Sequence, residues 1–137
     1  MPEISGVLET ALYVADVNRS AKFYTSLFGF EVMIQDERFC AMSVTGKQVL
    51  LLFRRGAAKA ALTVPGGVIP GHDGSGETHF AFAIPTSELE PWERRLADFE
   101  VAIESKVAWE RGGHSLYFRD PDSHLVELAT PGLWPIY

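Results

Sequence analysis

The sequence has 137 residues, 47% of them hydrophobic and 22% charged, with a formal net charge of -6. These values are typical of a globular protein and exclude a disordered or low-complexity chain. The negative charge disfavours nucleic acid and anionic membranes as partners. The chain starts without a secretory signal pattern, and its longest apolar run, residues 49–53, is far shorter than the roughly 20 residues of a membrane helix. With a single cysteine, Cys40, there is no intrachain disulfide, and we expect a cytoplasmic protein.

The first half of the chain predicts one helix among four strands. Alternation over residues 9–15 places Glu9, Ala11 and Tyr13 on one face of the first strand. A helix then begins near Asp16 and ends at Gly29. The remaining strands are predicted at residues 31–35, 38–44 and 48–53.

The second half predicts the same order of elements. A strand at residues 79–84 carries His79 on one face and Phe80 on the other. The sequence Ser87-Glu88-Leu89-Glu90 has the capping-box pattern and predicts that Ser87 caps the next helix. Three further strands are predicted at residues 100–103, 115–119 and 125–129.

The two halves are copies of one unit. Aligning Glu9 with His79 brings residues 30–32 onto residues 99–101 with a single one-residue gap. The chain is therefore predicted to be a single domain, residues 1–137, built from module 7–56 and module 77–131. Two such strand–helix–three-strand modules indicate a pair of sheets curved around a shared cleft.

The connector between the modules, residues 57–76, is rich in glycine and proline. Residues 57–62 are predicted to form a short helix. Residues 64–76 are predicted to be a mobile loop that enters the second module just before His79. That position would allow the loop to act as a lid.

Three polar side chains are expected on the cleft-facing side of strands. Glu9 and His79 lie on the first strand of each module, and Glu127 lies on the last strand of the second. Two bare carboxylates in one cleft would repel each other, and a divalent cation removes that penalty. One imidazole and two carboxylates suit a first-row divalent ion and leave positions open for water or substrate. The pattern therefore predicts a metal site.

Each of these residues also has a simpler interpretation when taken alone. Glu9 is typical of a solvated strand end, and His79 of a hydrogen-bonded histidine. Glu127 is the hardest to explain in this way, because it interrupts the apolar run of residues 125–129. In the first module, the position opposite Glu127 is Leu50 or Leu51, so we expect no fourth ligand.

Aromatic side chains are the candidates for contacting an organic substrate. Tyr13, Tyr117 and Trp109 are predicted to bind substrate, with Tyr117 one strand from Glu127. The remaining candidate residues are given structural interpretations. Phe39 and Phe53 are assigned to the core, Arg119 to bracing the following turn, His124 to the solvent-facing surface and Cys40 to a buried apolar position.

The duplicated module resembles the vicinal oxygen chelate superfamily, which includes glyoxalase I, fosfomycin-resistance proteins, bleomycin-binding proteins and extradiol dioxygenases. The resemblance rests on residues 12–16, 21–24 and 27–30, and most strongly on residues 117–128, Tyr-Phe-Arg-Asp-Pro-Asp-Ser-His-Leu-Val-Glu-Leu. It spans nearly the whole chain. The closing segment is specific for the superfamily and not for one activity.

The resemblance implies an α+β fold in which two βαβββ modules form a cupped, barrel-like mixed sheet around a cleft. It also implies metal ligands on the first strand of each module and on the last strand of the second, which match Glu9, His79 and Glu127. A homodimer, often with ligands shared between chains, is implied as well. Glu9 departs from the histidine or glutamine of many members, which makes iron-dependent oxygen chemistry less expected.

Together these observations predict a glyoxalase- or lyase-type enzyme that binds one divalent ion (Mn, Fe, Ni, Co or Zn) and a small substrate with vicinal oxygens. Glu9 and Glu127 are the candidate catalytic residues, and Glu9 has a possible second role as general base. Two alternatives stay open: a bleomycin-resistance-like protein that binds a drug or metabolite without turnover, and an extradiol-type dioxygenase.

Overall fold

The computed structural model describes all 137 residues. They form two compact units, residues 1–75 and residues 76–137, here called the N-terminal and C-terminal units. Each unit contains one α-helix and a four-stranded mixed sheet. Neither α-helix has the length and apolar character needed to cross a lipid bilayer.

The N-terminal unit contains one helix and six strands. In chain order they are β1 (Glu9–Val14), α1 (Val17–Phe28), β2 (Glu31–Gln35), β3 (Phe39–Val44), β4 (Gln48–Arg54), β5 (Leu62–Val64) and β6 (Gly67–Ile69). Strand β3 pairs antiparallel with both β2 and β4, whereas β1 pairs parallel with β4. The four strands predicted for this module are confirmed to within one residue at each end.

The C-terminal unit repeats this arrangement. In chain order it contains β7 (His79–Ala83), a 3₁₀ turn (Thr86–Glu88), α2 (Leu89–Asp98), β8 (Ser105–Ala108), β9 (His114–Arg119) and β10 (Leu125–Ala129). Strand β7 pairs parallel with β10, and β8, β9 and β10 form antiparallel pairs.

The strand order confirms the duplication inferred from the sequence. The sheets are ordered β1-β4-β3-β2 and β7-β10-β9-β8, so each unit is one βαβββ module. Glu9 pairs with Val49 in one unit, and His79 pairs with Leu125 in the other. This shared register makes Leu51 the counterpart of Glu127.

One face of each sheet is buried in its own unit. On β1, Leu12 and Val14 are buried, whereas Glu9 on the opposite face is exposed. On β10, Val126 and Leu128 are fully buried. Burying each such aliphatic side chain contributes roughly 1.5–3 kcal/mol. This alternation fixes the strand faces and directs Glu9 and Glu127 to the opposite side from the core.

Helix α1 begins and ends at the predicted residues. The Asp16 carboxylate accepts a hydrogen bond from the backbone N–H of Arg19, 3.0 Å away, as an N-cap does. Gly29 has φ 72°, and its N–H donates to the carbonyl of Thr25. A left-handed residue at this position favours glycine, because a side chain there is strained.

Helix α2 begins differently from the prediction. No side chain caps it, and the predicted capping by Ser87 is wrong. Residues 86–88 form a 3₁₀ turn, and the helix starts at Leu89. This start places Pro91 at the third helical position, where proline has no N–H for a capping side chain to accept.

The end of α2 explains why the strand predicted at residues 100–103 is wrong. Glu100 is left-handed, with φ 55°. Its N–H donates to the carbonyl of Ala97, and the N–H of Val101 donates to Leu96 at 2.8 Å. These are the two hydrogen bonds of a Schellman motif, so the segment closes the helix. The strand that pairs with β9 forms later, at Ser105–Ala108.

The connector is more ordered than the sequence predicted. Residues 57–62 form turns and not a helix, and Leu62 already belongs to β5. The predicted mobile loop, residues 64–76, includes the turn and the second strand of the β5–β6 hairpin. The prediction from glycine and proline content was wrong because a three-residue strand on each side of a turn suffices for a hairpin.

A segment we call the strap, residues 70–74, follows this hairpin and is attached to the rest of the N-terminal unit. The N–H of His72 donates to the Ala58 carbonyl at 2.8 Å. The Asp73 carboxylate accepts from the Gly56 N–H at 3.0 Å. That hydrogen bond lowers the pKa of the Asp73 carboxyl below its ordinary value of 3.8. Gly74 packs so closely on the Tyr13 ring that a Cβ would lie 2.4 Å from it.

Asp73→Ala is expected to speed amide exchange at Gly56 several-fold at neutral pH, because the N–H loses its acceptor. In the unsubstituted protein the same change should occur only in acid. A lowered pKa means that the ionised carboxylate stabilises the attachment above the ordinary pKa and loses this effect as the pH falls through the lowered one. Hydrogen exchange across a pH series measures this. Asp98→Ala, which removes the same charge from α2, is the control, and unchanged protection in Asp73→Ala would contradict the prediction.

Candidate metal centre

The structure brings His79 and Glu127 together within the C-terminal unit. His79 lies at the start of β7 and Glu127 in the middle of β10, on the same face of two parallel neighbours. The His79 Nε2 is 3.2 Å from the Glu127 Oε2. The Glu127 side chain is almost fully buried, whereas the His79 side chain is 49% exposed. One edge of this pair is therefore open to solvent or a ligand.

The hydrogen bond on the other side of the imidazole places its proton. The His79 Nδ1 lies 3.0 Å from the Leu125 carbonyl oxygen. A carbonyl oxygen only accepts, so Nδ1 carries the proton and donates it. In a neutral imidazole, Nε2 then presents a lone pair toward the Glu127 carboxylate. Two acceptors at 3.2 Å need a proton or a cation between them.

The second oxygen of Glu127 is occupied by a hydrogen-bond chain. The Ser115 hydroxyl on β9 donates to Glu127 Oε1 at 2.5 Å. The Trp109 indole N–H donates to the Ser115 Oγ at 2.8 Å. An indole N–H cannot accept, so the single Ser115 hydroxyl proton is directed to Glu127. This chain fixes the carboxylate and leaves Oε2 facing His79.

Tyr117 lies beside the pair. It is directly opposite Glu127 in the β9–β10 register, and its ring centroid is 6.1 Å from that of His79. Burial, together with the negative charge of Glu127, raises the pKa of the Tyr117 hydroxyl above its ordinary value. Tyr117 therefore keeps its proton at neutral pH and can donate it in a hydrogen bond.

Glu9 belongs to the N-terminal unit. It is exposed at the start of β1 and lines a cavity of that unit. No group of three or more His, Cys, Asp or Glu side chains in the chain is arranged to hold a metal ion. The structure thus brings together two of the three predicted ligands, and the triad stays a prediction.

The aromatic candidates for substrate binding fall in both units. Tyr13 lies in the N-terminal unit, where its hydroxyl is 2.6 Å from His72 Nδ1. Trp109 and Tyr117 lie beside the histidine–glutamate pair of the C-terminal unit. Phe39 and Phe53 are half-buried and line a cavity, so their assignment to the core was wrong.

The remaining assignments are partly confirmed. His124 was predicted to face solvent but is only 1% exposed, because its Nδ1 accepts the Thr78 N–H at 3.0 Å and so joins the turn to the start of β7. Arg119 braces the turn as predicted, by donating to the Ser123 carbonyl. Cys40 is buried as predicted, and burial raises the pKa of its thiol.

Two residues of functional interest were given no functional role from the sequence. Ser115 lies on the strand predicted at residues 115–119 but was given no role. The signal was a serine on the face that carries Glu127 on the neighbouring strand. His72 was assigned to a flexible connector, and its contact with Tyr13 has no local sequence signal.

The donor set of the pair fits a divalent metal ion. One imidazole nitrogen and one carboxylate oxygen suit ions of the first transition row. The second nitrogen of His79 is held by a backbone carbonyl and the second oxygen of Glu127 by Ser115. Outer hydrogen bonds of this kind are typical of metal ligands, since they fix the tautomer and the orientation.

The fold and this pair define a protein of the paired βαβββ class. The chain belongs to the Glyoxalase/Bleomycin resistance protein/Dioxygenase superfamily, whose family model matches residues 6–128. That match extends through both units and confirms the resemblance found in the sequence.

Three relatives illustrate the range of the superfamily. The chain is 26% identical over 129 residues to metallothiol transferase FosB of Bacillus licheniformis, covering 93% of this chain and 77% of the relative. It is 28% identical over 123 residues to a catechol-2,3-dioxygenase of Bacillus subtilis, covering 85% and 38%. The crystal structure of lactoylglutathione lyase from Agrobacterium tumefaciens is 31% identical with a TM-score of 0.88, covering 98% and 99%. The three names describe different activities.

Proposed function

We propose that the protein is a divalent-metal-dependent enzyme of the glyoxalase or lyase type, acting on a small substrate with vicinal oxygens. The observation that carries the proposal is the His79–Glu127 pair, in which the imidazole Nε2 lies 3.2 Å from a carboxylate oxygen whose partner oxygen is held by Ser115. Glu9 is the proposed third ligand, because it holds the position on β1 that His79 holds on β7.

In this mechanism the chain positions the substrate and moves one proton. A bound divalent ion supplies Lewis-acid stabilisation of negative charge on the substrate oxygens. The Tyr117 hydroxyl donates a hydrogen bond to the substrate. The Glu9 carboxylate, which is exposed and not part of the fixed pair, accepts a proton from the carbon beside the bound oxygens and returns it to the neighbouring carbon. Glu127, held by Ser115, stays in place.

A binding protein without turnover is the second candidate. The specific observation in its favour is a cavity of the N-terminal unit lined mainly by apolar side chains, since such a cavity binds a ligand without requiring a metal. Metal dependence separates the two candidates. The reactions to be screened are lactoylglutathione cleavage, thiol transfer and oxygen uptake with catechol, which match the names of the three relatives.

Glu9→Gln is expected to lower the affinity for Mn²⁺ or Zn²⁺ about tenfold or more, because an amide replaces a charged ligand. It is also expected to abolish proton transfer even when the metal is saturating. Calorimetric titration of the metal-free protein and assay of the loaded enzyme measure the two effects. Glu3→Gln, at an exposed position, is the control. Unchanged affinity and activity in Glu9→Gln would remove Glu9 from the site.

Homodimer formation is part of the proposal and gives this test a second form. If Glu9 meets His79 of a second copy, co-expressing Glu9→Gln with His79→Ala restores one intact site in each mixed dimer. About a quarter of the sites should then bind metal in a random mixture. If the ligands come from one chain, the mixture binds no more metal than either variant alone.

A further inference from the structure

Three aromatic rings form a row across the N-terminal sheet. Tyr13 on β1, Phe53 on β4 and Phe39 on β3 are direct partners in the strand register. Their ring centroids are 6.0 Å apart for Tyr13 and Phe53 and 5.8 Å for Phe39 and Phe53, and both pairs are stacked. All three are half-buried, on the face of the sheet opposite its core.

This aromatic row borders a cavity of about 460 Å³. Phe53 and Phe39 line the cavity on the sheet side, and Leu62 and Ile69 of the β5–β6 hairpin line it as well. The His72 ring stands edge-on to Phe53, with centroids 4.7 Å apart. A cavity of about 150 Å³ is large enough for benzene, so there is room for a ring and its substituents.

The charges of the lining restrict the ligand. Glu9 and Arg38 are the charged residues among those that line the cavity, and they have opposite signs. Arg38 already donates to the Ala57 carbonyl at 3.3 Å. A cluster of positive charge, which a phosphate or phosphonate needs, is therefore lacking among the lining side chains. The aromatic faces favour a planar apolar group, since offset and edge-to-face ring contacts add to the gain from burial.

We infer that this cavity binds an aromatic ring carried by the substrate. The inference rests on the proposed function, because Glu9 both lines the cavity and is the proposed metal ligand. It deepens that function by naming the substrate class: a compound whose vicinal oxygens are attached next to an aryl group without a strong negative charge.

Two hydroxamic acids test the inference on metal-loaded protein. Benzohydroxamic and acetohydroxamic acid share one chelating group with vicinal oxygens and differ in phenyl against methyl. Benzohydroxamate is expected to bind at least about tenfold more tightly than acetohydroxamate, because its ring is buried in the cavity. Competition calorimetry with Zn²⁺-loaded protein measures the ratio.

A matched pair of variants locates the effect. Ala60 lines the cavity and its neighbour Ala61 does not, and both are exposed. Ala60→Phe fills the cavity from its rim. It should therefore bring the ratio of the benzohydroxamate and acetohydroxamate affinities close to one. Ala61→Phe adds the same side chain and should leave the ratio unchanged. A ratio near one in the unsubstituted protein, or an equal loss in both variants, would overturn the inference.

A second measurement separates this inference from the proposed function. Saturation-transfer NMR of benzyl alcohol with metal-free protein should show binding that Ala60→Phe removes and Ala61→Phe retains. If this binding is seen but no metal binds, the ring site stands and the metal-dependent function fails. If metal binds but benzyl alcohol does not, the ring site fails and the metal centre stands. Loss of a dimer in Ala60→Phe, seen by sedimentation, would identify the cavity as an interface between copies and overturn the inference.

Discussion

Glu127→Gln is expected to lower the affinity for divalent metal about a hundredfold or more and to abolish metal-dependent activity. Loss of a hydrogen-bond partner of a metal ligand alone typically lowers metal affinity 10- to 100-fold, and this substitution neutralises a proposed direct ligand. Glutamine keeps the size of the side chain and still accepts the Ser115 hydrogen bond through its amide oxygen. Its NH₂ group then faces the His79 Nε2, 3.2 Å from the replaced atom, and donates to it where a cation would bind.

The measurement is calorimetric titration of metal-free protein with Mn²⁺ and Zn²⁺. Glu110→Gln is the matched control, because Glu110 is exposed and lies in the loop between β8 and β9. Thermal unfolding of both variants verifies that they are folded. Equal metal affinities for Glu127→Gln and Glu110→Gln would refute the metal centre, whatever the protein binds elsewhere.

Strand positions were the part of the fold that the sequence predicted best. The reason is visible on β1 and β10, where apolar residues such as Leu12 and Leu128 alternate with residues of the opposite face. Burial of one face is a property of each strand on its own, so a local pattern records it. The duplication added a second constraint, because each module restricts the interpretation of the other.

The errors arose where backbone hydrogen bonds over a few residues decide the structure. The residues from Glu100 onward are compatible with either a strand or a helix end. The hydrogen bonds to the carbonyls of Leu96 and Ala97 make this segment a helix end. The prediction for the connector was wrong for a related reason, since the glycines around β5 and β6 permit both a loop and a hairpin. Such choices depend on the neighbours in the fold and not on residue type.

The site was predictable to the extent that it lies on strand faces. Alternation alone placed His79 and Glu127 on the cleft-facing side of their strands, and in the structure their side chains lie 3.2 Å apart. The hydrogen bond from Ser115 to Glu127 crosses between two strands and depends on their register. The burial of His124 depends on Thr78, far away in the chain. Contacts of this kind have no sequence period.

Ser115→Ala is expected to lower metal affinity about tenfold while leaving the proposed metal-contacting side chains, His79 and Glu127, in place. The Glu127 Oε1 atom loses its donor, and the carboxylate is then free to rotate. Stability should fall by about 1–3 kcal/mol, the usual result of leaving a buried polar group unsatisfied. Ser115 is 1% exposed, so water does not replace the hydroxyl without a rearrangement.

Trp109→Phe distinguishes positioning from packing. Phenylalanine keeps an aromatic ring but has no N–H. Ser115 still has a hydroxyl proton to donate to Glu127, but it loses the hydrogen bond from Trp109 that directs this proton. The loss of metal affinity should therefore be smaller than in Ser115→Ala. Ser105→Ala, at an exposed position on β8, is the control. Titration calorimetry measures metal affinity, and urea unfolding measures stability. We expect the metal affinity to be highest in Ser105→Ala, lower in Trp109→Phe and lowest in Ser115→Ala. Equal affinities for Ser115→Ala and Ser105→Ala would show that this hydrogen-bond chain supports the sheet and not the ligand.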